Sequence, residues 1–340
     1  MKLYIYIIKR AIVSLVTIFG VIFITFIITR SIPGDVVLQR LPIRATMEDY
    51  LREKERLGLD KPILVQFVIY MGDVFTGNWG YSFAYMSEYP IWSLIMLHLP
   101  RSLEIMFISM VIAIFLGILL GKISAMHRNG SKDIIIRVFT YIFVSIPGFV
   151  VIVFFMQLYV FTPIKIFPLF GYKTTGFPEP PLITGIRSFD CLISGKWYLL
   201  FDYIWHIIVP VSAMLIIQMV IIIRQTRSSI IEALQMDYVQ LAKVKGNTEK
   251  EIVKKHVMKN VLPPIITSAG MQFPIVLGGM VAVEIIYNIY GMGSLFQMAI
   301  LRSDYPLIIA IIFVFSLCVI ISNFIVDLII VLIDPRIKLK

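Results

Sequence analysis

Six runs of predominantly apolar residues, each about twenty or more residues long, constrain this chain more than any other feature. They are Ala11–Thr29, Leu103–Ser124, Ile134–Phe161, Ile204–Ile223, Ile265–Ile289 and Pro306–Ile333. A helix needs about 20 such residues to cross the hydrocarbon core of a bilayer. No water is available there to satisfy backbone groups, so only helices and closed barrels span it. Composition points the same way: 59% of the residues are hydrophobic and 15% are charged, whereas a soluble domain carries about 25% charged residues. The expected fold class is therefore an all-α membrane protein with six transmembrane helices.

The first run has a positive front in Lys2, Lys9 and Arg10, as a secretory signal would. Its apolar stretch is longer than the 7–15 residues of a signal core, and Arg30-Ser31-Ile32-Pro33-Gly34-Asp35 is not a small-residue cleavage site. Residues 1–30 are thus expected to be a retained anchor helix. Basic residues gather in alternate flanks: at the N-terminus, around Lys122–Arg137, between Arg224 and Lys259, and at Arg336, Lys338 and Lys340. Placing those segments in the cytoplasm satisfies the positive-inside rule, so both termini are expected there in a multi-pass plasma-membrane protein. The formal charge of +10 then belongs to membrane topology and not to a nucleic-acid-binding face.

Residues 31–100 fall outside as an extracytoplasmic segment, since long loops translocate largely regardless of charge. Thr46 with Asp49 reads as a helix start, Gly58 as a C-terminal cap and Pro62 as the opening of a second helix toward Phe75. The two cysteines, Cys191 and Cys318, lie in different segments, and the four histidines, His98, His127, His206 and His256, are scattered. Neither set has metal-ligand or disulfide spacing, so no metal and no cofactor is expected.

The inner loop at about 228–262 carries most of the functional information. Ile230 to Lys245 contains helix formers without glycine or proline. Gly246 suits a left-handed cap, Thr248 with Glu251 matches a capping box, and Pro263-Pro264 is expected to end the second helix. Helix, glycine, helix on the cytoplasmic side fits either an amphipathic hairpin on the membrane or a short helix docked in a groove of a soluble partner.

The stretch Asp237-Tyr238-Val239 followed by Ala242-Lys243-Val244-Lys245-Gly246 resembles the coupling-loop signature of ABC-importer permeases, and more narrowly the dipeptide/oligopeptide/nickel branch. Gln240-Leu241-Ala242 stands where the broader superfamily usually has Glu-Ala-Ala. Further short motifs follow in the family's order across nearly the whole chain: Thr29–Asp35, Leu57–Pro62 with Gly80-Tyr81-Ser82, His98–Glu104, Ser145–Phe149, Gly278-Gly279 through Glu284, Tyr290–Gly293, Asp304-Tyr305-Pro306 and Asp334–Ile337. The resemblance implies a core over 101–340 and a coupling helix seated in a cleft of an ATPase subunit. Asp237, Tyr238, Ala242, Lys243, Lys245, Gly246 and Thr248 would form that interface. It implies a second homologous permease, two ATP-binding-cassette subunits and an extracytoplasmic solute-binding protein as partners. Peptides are the expected cargo, with oligosaccharides or nickel chelates as the alternative within the same type.

Ionisable groups in spans are expensive and mark partners or water-filled paths. Glu284 is expected to line the solute path or pair with a partner subunit, with Gly278-Gly279 before it allowing close backbone approach; Pro147 is read as a packing kink, with a hinge or bend beside the path as the alternative, and Asp327 is read as structural. Gly117-Ile-Leu-Leu-Gly121 suits close helix packing. Followed by Lys122 it looks like a phosphate loop, but the spacing is one residue short and Ile123 stands where Ser or Thr is required. ATP hydrolysis is therefore expected on separate subunits, and the chain itself is read as a transport subunit and not an enzyme. A self-contained secondary transporter or channel is the first rival reading, and it prefers inverted repeats that the sequence does not display; an intramembrane enzyme is the second, and the sequence has no His-Glu-x-x-His pair or Gly-x-Ser-x-Gly elbow to carry it.

Overall fold

The computed structural model describes residues 3–31, 37, 41, 44–56, 58–83, 89–162 and 166–333. Ile32–Asp35, Leu57, the Asp334–Ile337 motif and the basic residues Lys2, Arg336, Lys338 and Lys340 lie outside the described residues. The chain divides into two units, one of Pro100–Tyr290 with Val319–Lys340, the other of Lys2–Leu99 with Gly291–Cys318.

In the second unit, helix α1 (Leu3–Ser31) contains the first apolar run. Helix α2 (Met47–Arg56) begins as expected: the Thr46 N–H and hydroxyl both donate to Asp49 Oδ2, at 2.9 and 2.7 Å. Gly58 adopts φ +65°, and Pro62 precedes α3 (Ile63–Phe75) with φ −56°. Aromatic contacts hold α3 to α1, Phe67 meeting Phe23 edge-on at 5.0 Å and Phe26 at 5.6 Å. A two-residue ribbon, β1 (Tyr81–Ser82) against β2 (Tyr89–Pro90), is antiparallel with Tyr81 opposite Pro90. Asp304 fixes it, because the Ser82 hydroxyl and the Phe83 N–H both donate to Oδ2, at 2.7 and 2.8 Å. This places the Gly80-Tyr81-Ser82 and Asp304-Tyr305-Pro306 motifs together. A buried apolar cluster joins the start of α4 (Ile91–Met126) to α13 (Met292–Leu301) and the start of α14 (Tyr305–Ile333).

The first unit contains α5 (Ser131–Ser145), α6 (Gly148–Phe161), α7 (Arg187–Ile193), α8 (Trp197–Ala233), α9 (Asp237–Val244) and α10 (Glu249–Ile252). After α10 a π-turn over Val253–Val257 leads into α11 (Met258–Met271), followed by α12 (Phe273–Ile286). Gly117 and Gly121 of α4 face α8: a Cβ would lie 2.7 Å from the Ile222 Cβ at the first and 2.6 Å from the Thr226 Cβ at the second. This is the small-residue packing read from the sequence. Gly270 provides the same fit to α14, where a Cβ would meet Val326 Cγ2 at 2.5 Å.

Among the described residues four helices are long and apolar enough to cross a membrane, or up to six spans if each of two bent pairs counts as one. The interruptions are larger than the sequence suggested. Between α5 and α6 the chain turns by 107°, so Ile134–Phe161 is not one straight helix with a packing kink at Pro147. Proline disfavours the helical region for the residue before it, and Ile146 is extended at φ −95°, ψ 129°. At Gln272-Phe273-Pro274 the bend is 43°. Pro263-Pro264 does not end its helix; both prolines lie inside α11. Local π adjustments let membrane helices re-satisfy backbone groups near proline, and the Val253–Val257 π-turn lies just upstream. At Gly278 and Gly279 a Cβ would find nothing within 4 Å among the described residues.

Candidate functional site

The segment between α8 and α11 is built from its caps. Helix α8 ends at Ala233 and a tight turn follows, with the Gln235 N–H donating to Glu232 O at 3.1 Å and the Met236 N–H to Ala233 O at 3.2 Å. The continuous helix expected over Ile230–Lys245 is thus broken, and α9 starts afresh at Asp237, whose carboxylate suits the positive helix N-terminus. At the other end the Gly246 N–H donates to Lys243 O (2.9 Å) and the Asn247 N–H to Ala242 O (3.3 Å), which is a Schellman closure. Gly246 sits at φ +81°, where a Cβ is disfavoured. Thr248 opens α10 with a full capping box: its Oγ1 accepts the Glu251 N–H at 3.4 Å and its own N–H donates to Glu251 Oε2 at 3.0 Å.

These caps give α9 two faces. Val239 and Ala242 are buried in an apolar cluster with Ile230 and Ala233 of α8 and with Ile252, Val253 and Val257. Tyr238 is half-buried and packs against the same cluster. On the other side, Leu241 is 57% and Val244 86% exposed, flanked by exposed Lys243 and Lys245, with Asp237, Gly246 and Thr248 also exposed. Ala242 is therefore a seat for the helix, and the outward apolar pair is Leu241 and Val244. Periodicity could have found them: Val239 and Ala242 are three apart, so Leu241 and Val244 must point elsewhere.

Around the N-terminal part of α4 and the end of α12 a second group assembles. Glu284 is 1% exposed and accepts the Ser102 hydroxyl at 2.5 Å. Glu104 is also buried and accepts the Arg187 and Ser188 N–H groups at 3.0 and 2.9 Å, a carboxylate at the start of α7 where orphan donors need one. Tyr287, fully buried, donates to Ile152 O at 3.1 Å and so ties α12 to α6. Above them, Glu179 pairs with Lys173 (2.8 Å) and with Arg187, whose guanidinium lies over the Tyr172 ring at 5.2 Å. Partial burial would raise the Glu179 carboxyl, but its hydrogen bond from Lys173 and the nearby Arg187 charge outweigh that and hold it below the ordinary carboxylate range. Gly278 is exposed on α12, apart from the Ser102–Glu284 pair, and Pro147 lies in the α5–α6 bend.

Residues 113–339 match the family described as binding-protein-dependent transport system inner membrane component, and residues 3–106 match its N-terminal membrane component. This chain belongs to that family. It is 34% identical over 336 residues to the dipeptide transport system permease protein DppB of Alkalihalophilus pseudofirmus, covering 98% of this chain and 99% of that protein. It is 30% identical to the oligopeptide transport system permease protein AppB of Bacillus subtilis, again covering 98% and 99%. The inward-facing MetNI methionine ABC transporter contains a chain of the same fold, with a TM-score of 0.52 and 14% identity over 72% of this chain and 98% of that one. The inner membrane component is thus a multi-pass, all-α permease subunit of a binding-protein-dependent ABC importer, which places an ATPase and a solute-binding protein among its partners.

Proposed function

We propose that this inner membrane component forms half of the translocation path of a peptide importer, paired with a second, homologous permease. The cargo reading rests on relatives named as dipeptide and oligopeptide permeases, aligned end to end. Oligosaccharides or nickel chelates are the alternative cargo for a permease of this type. The solute-binding protein delivers cargo at the outer face, where residues 31–100 help seat it, and both termini lie in the cytoplasm.

The observation that carries the mechanism is the two-faced helix α9, buried on Val239 and Ala242 and open on Leu241 and Val244. In this reading the open side docks in a cleft of an ATPase subunit, with Asp237, Lys243, Lys245 and Thr248 at its polar rim and Gly246 closing the cap. When two ATPase subunits close on ATP, they push α9. Its buried side transmits the push to α8 and to the α10–α11 segment, since packed interfaces move as units between discrete arrangements. The spans then switch access between the two faces, a two-state equilibrium biased by nucleotide.

Co-purification with the ATPase subunits tests this. Wild type should retain them, whereas Leu241→Asp with Val244→Asp, both surface changes, should lose them while the chain still inserts in membranes. A wild-type chain that never retains an ATPase would remove the coupling reading and leave a self-contained transporter in its place.

A further inference from the structure

A cavity of about 390 Å³ opens between the cytoplasmic ends of α4, α5 and α8, and three arginines line it: Arg137, Arg224 and Arg227. Its size falls in the range of ligand sites. One carboxylate faces these charges. Asp133 is fully buried and takes a bidentate pair from Arg227, Nε at 2.8 Å and Nη2 at 2.9 Å. The Ser124 hydroxyl and the Asn129 N–H donate to the same carboxylate, at 2.5 and 2.9 Å, so its acceptor capacity is already taken. Arg137 Nε lies 3.6 Å from Asp133 Oδ2, too far for a hydrogen bond, and this buried N–H has no acceptor among the described residues. Arg224 is exposed and has no ion pair among the described residues. One carboxylate, already hydrogen-bonded by Arg227, thus faces three guanidinium groups, and the cavity keeps a net positive lining.

What surrounds the cavity selects the ligand. The flank of α5 beside the cavity is aliphatic and exposed, with Ile134 at 47% and Val138 at 50%, as a surface against acyl chains would be. Arginine forks match phosphate oxygens in geometry and charge, and basic pockets between spans on the cytoplasmic side suit anionic headgroups. We propose that this cavity binds the phosphodiester headgroup of an anionic phospholipid of the inner leaflet, held by Arg137 and Arg224, with Arg227 locked on Asp133 as the wall. The leaflet follows from the orientation given above; the phosphate chemistry does not depend on it, and a free phosphate could offer the same oxygens without the acyl chains.

Native mass spectrometry of the intact transporter, released from nanodiscs of phosphatidylcholine and phosphatidylglycerol in equal amounts, reads the proposal directly. Wild type should retain phosphatidylglycerol preferentially. Each arginine near such a surface contributes roughly a fivefold preference, so Arg137→Gln with Arg224→Gln should reduce the retained ratio by about 25-fold. Arg224→Gln alone, at an exposed position, should give the partial loss even if the double variant assembles poorly. Equal retention by wild type, or an unchanged ratio in Arg224→Gln and the double variant, overturns the proposal. A melting temperature raised by inorganic phosphate, with no lipid preference, would assign the cavity to a free anion and overturn the lipid reading. Loss of a partner subunit with an unchanged lipid ratio would assign it to protein contact and overturn it as well.

Discussion

Ser102 donates its hydroxyl to Glu284 across 2.5 Å, tying α4 to the end of α12 with both side chains buried. A buried carboxylate deprived of a hydrogen-bond donor bears a desolvation penalty of about 1–3 kcal/mol. Ser102→Ala should therefore lower unfolding stability by that order, read as a lower melting temperature of the purified transporter. Ser102→Thr, which keeps the hydroxyl, should recover most of it. Equal melting of Ser102→Ala and wild type would show that the pair does not hold the two helices together.

Gly121 and Gly278 should respond in opposite ways to the same substitution. A Cβ at Gly121 would lie 2.6 Å from Thr226 Cβ and 2.8 Å from Ile223 O, backbone that cannot swing aside. Overpacking of this kind typically costs about 1–3 kcal/mol, so Gly121→Ala should destabilise the chain by that amount. Gly278→Ala meets nothing within 4 Å and, replacing a glycine inside a helix, should raise the stability of the isolated chain by about 0.5–1 kcal/mol. If Gly278→Ala reduces transport or retention of the second permease without loss of stability, its exposed face is used by the assembly.

The local devices were legible because each is a short-range rule carried by one or two residues. Thr46 with Asp49, Gly58, Gly246 and the Thr248–Glu251 box all sit where their chemistry places them. The close fit of Gly117 and Gly121 on α8 was legible for the same reason. The misreadings came where tertiary context decides. Pro263-Pro264 looks like a stop, yet a membrane helix absorbs it beside a π-turn, while Pro147, read as a kink, accompanies a 107° turn. Gly278-Gly279 has the composition of a packing motif, and a Cβ at either position meets nothing within 4 Å among the described residues. Ser102, Tyr287 and the Arg137–Arg224 cavity carried no local signal, because each depends on residues brought together from distant parts of the sequence.

Glu179 makes the loop over 166–186 sensitive to acid. Its carboxyl is held below the ordinary range by Lys173 and Arg187 against the opposing effect of burial. A group whose value is depressed on folding contributes stability that is present above its unfolded value, about 4.3 for glutamate, and is lost as pH falls through the folded value. Protease resistance of the loop over 166–186 should accordingly be flat from pH 7 to about 5 and decline below about 4. Glu179→Gln should lower resistance at neutral pH and flatten the profile. A wild-type profile with its decline above pH 5 would point to a different titrating group.

Gly246 isolates the backbone contribution to the cap. No heavy atom lies within 4 Å of where its Cβ would be, and its φ is +81°. Any substitution penalty must therefore come from the left-handed conformation and not from a clash. That conformation costs an L-residue roughly 1–2 kcal/mol, least for asparagine and most for a β-branched side chain. Gly246→Asn, →Ala and →Val should then form a graded series, measured as ATPase-subunit retention, with Asn nearest wild type and Val weakest. Gly246→Arg should fall near Ala in dihedral penalty while adding bulk and charge at the proposed docking face, and so should retain less ATPase than Ala. If Asn, Ala and Val behave alike, the Schellman closure does not set the pose of α9. If Arg matches Ala, position 246 lies outside the surface that the ATPase covers.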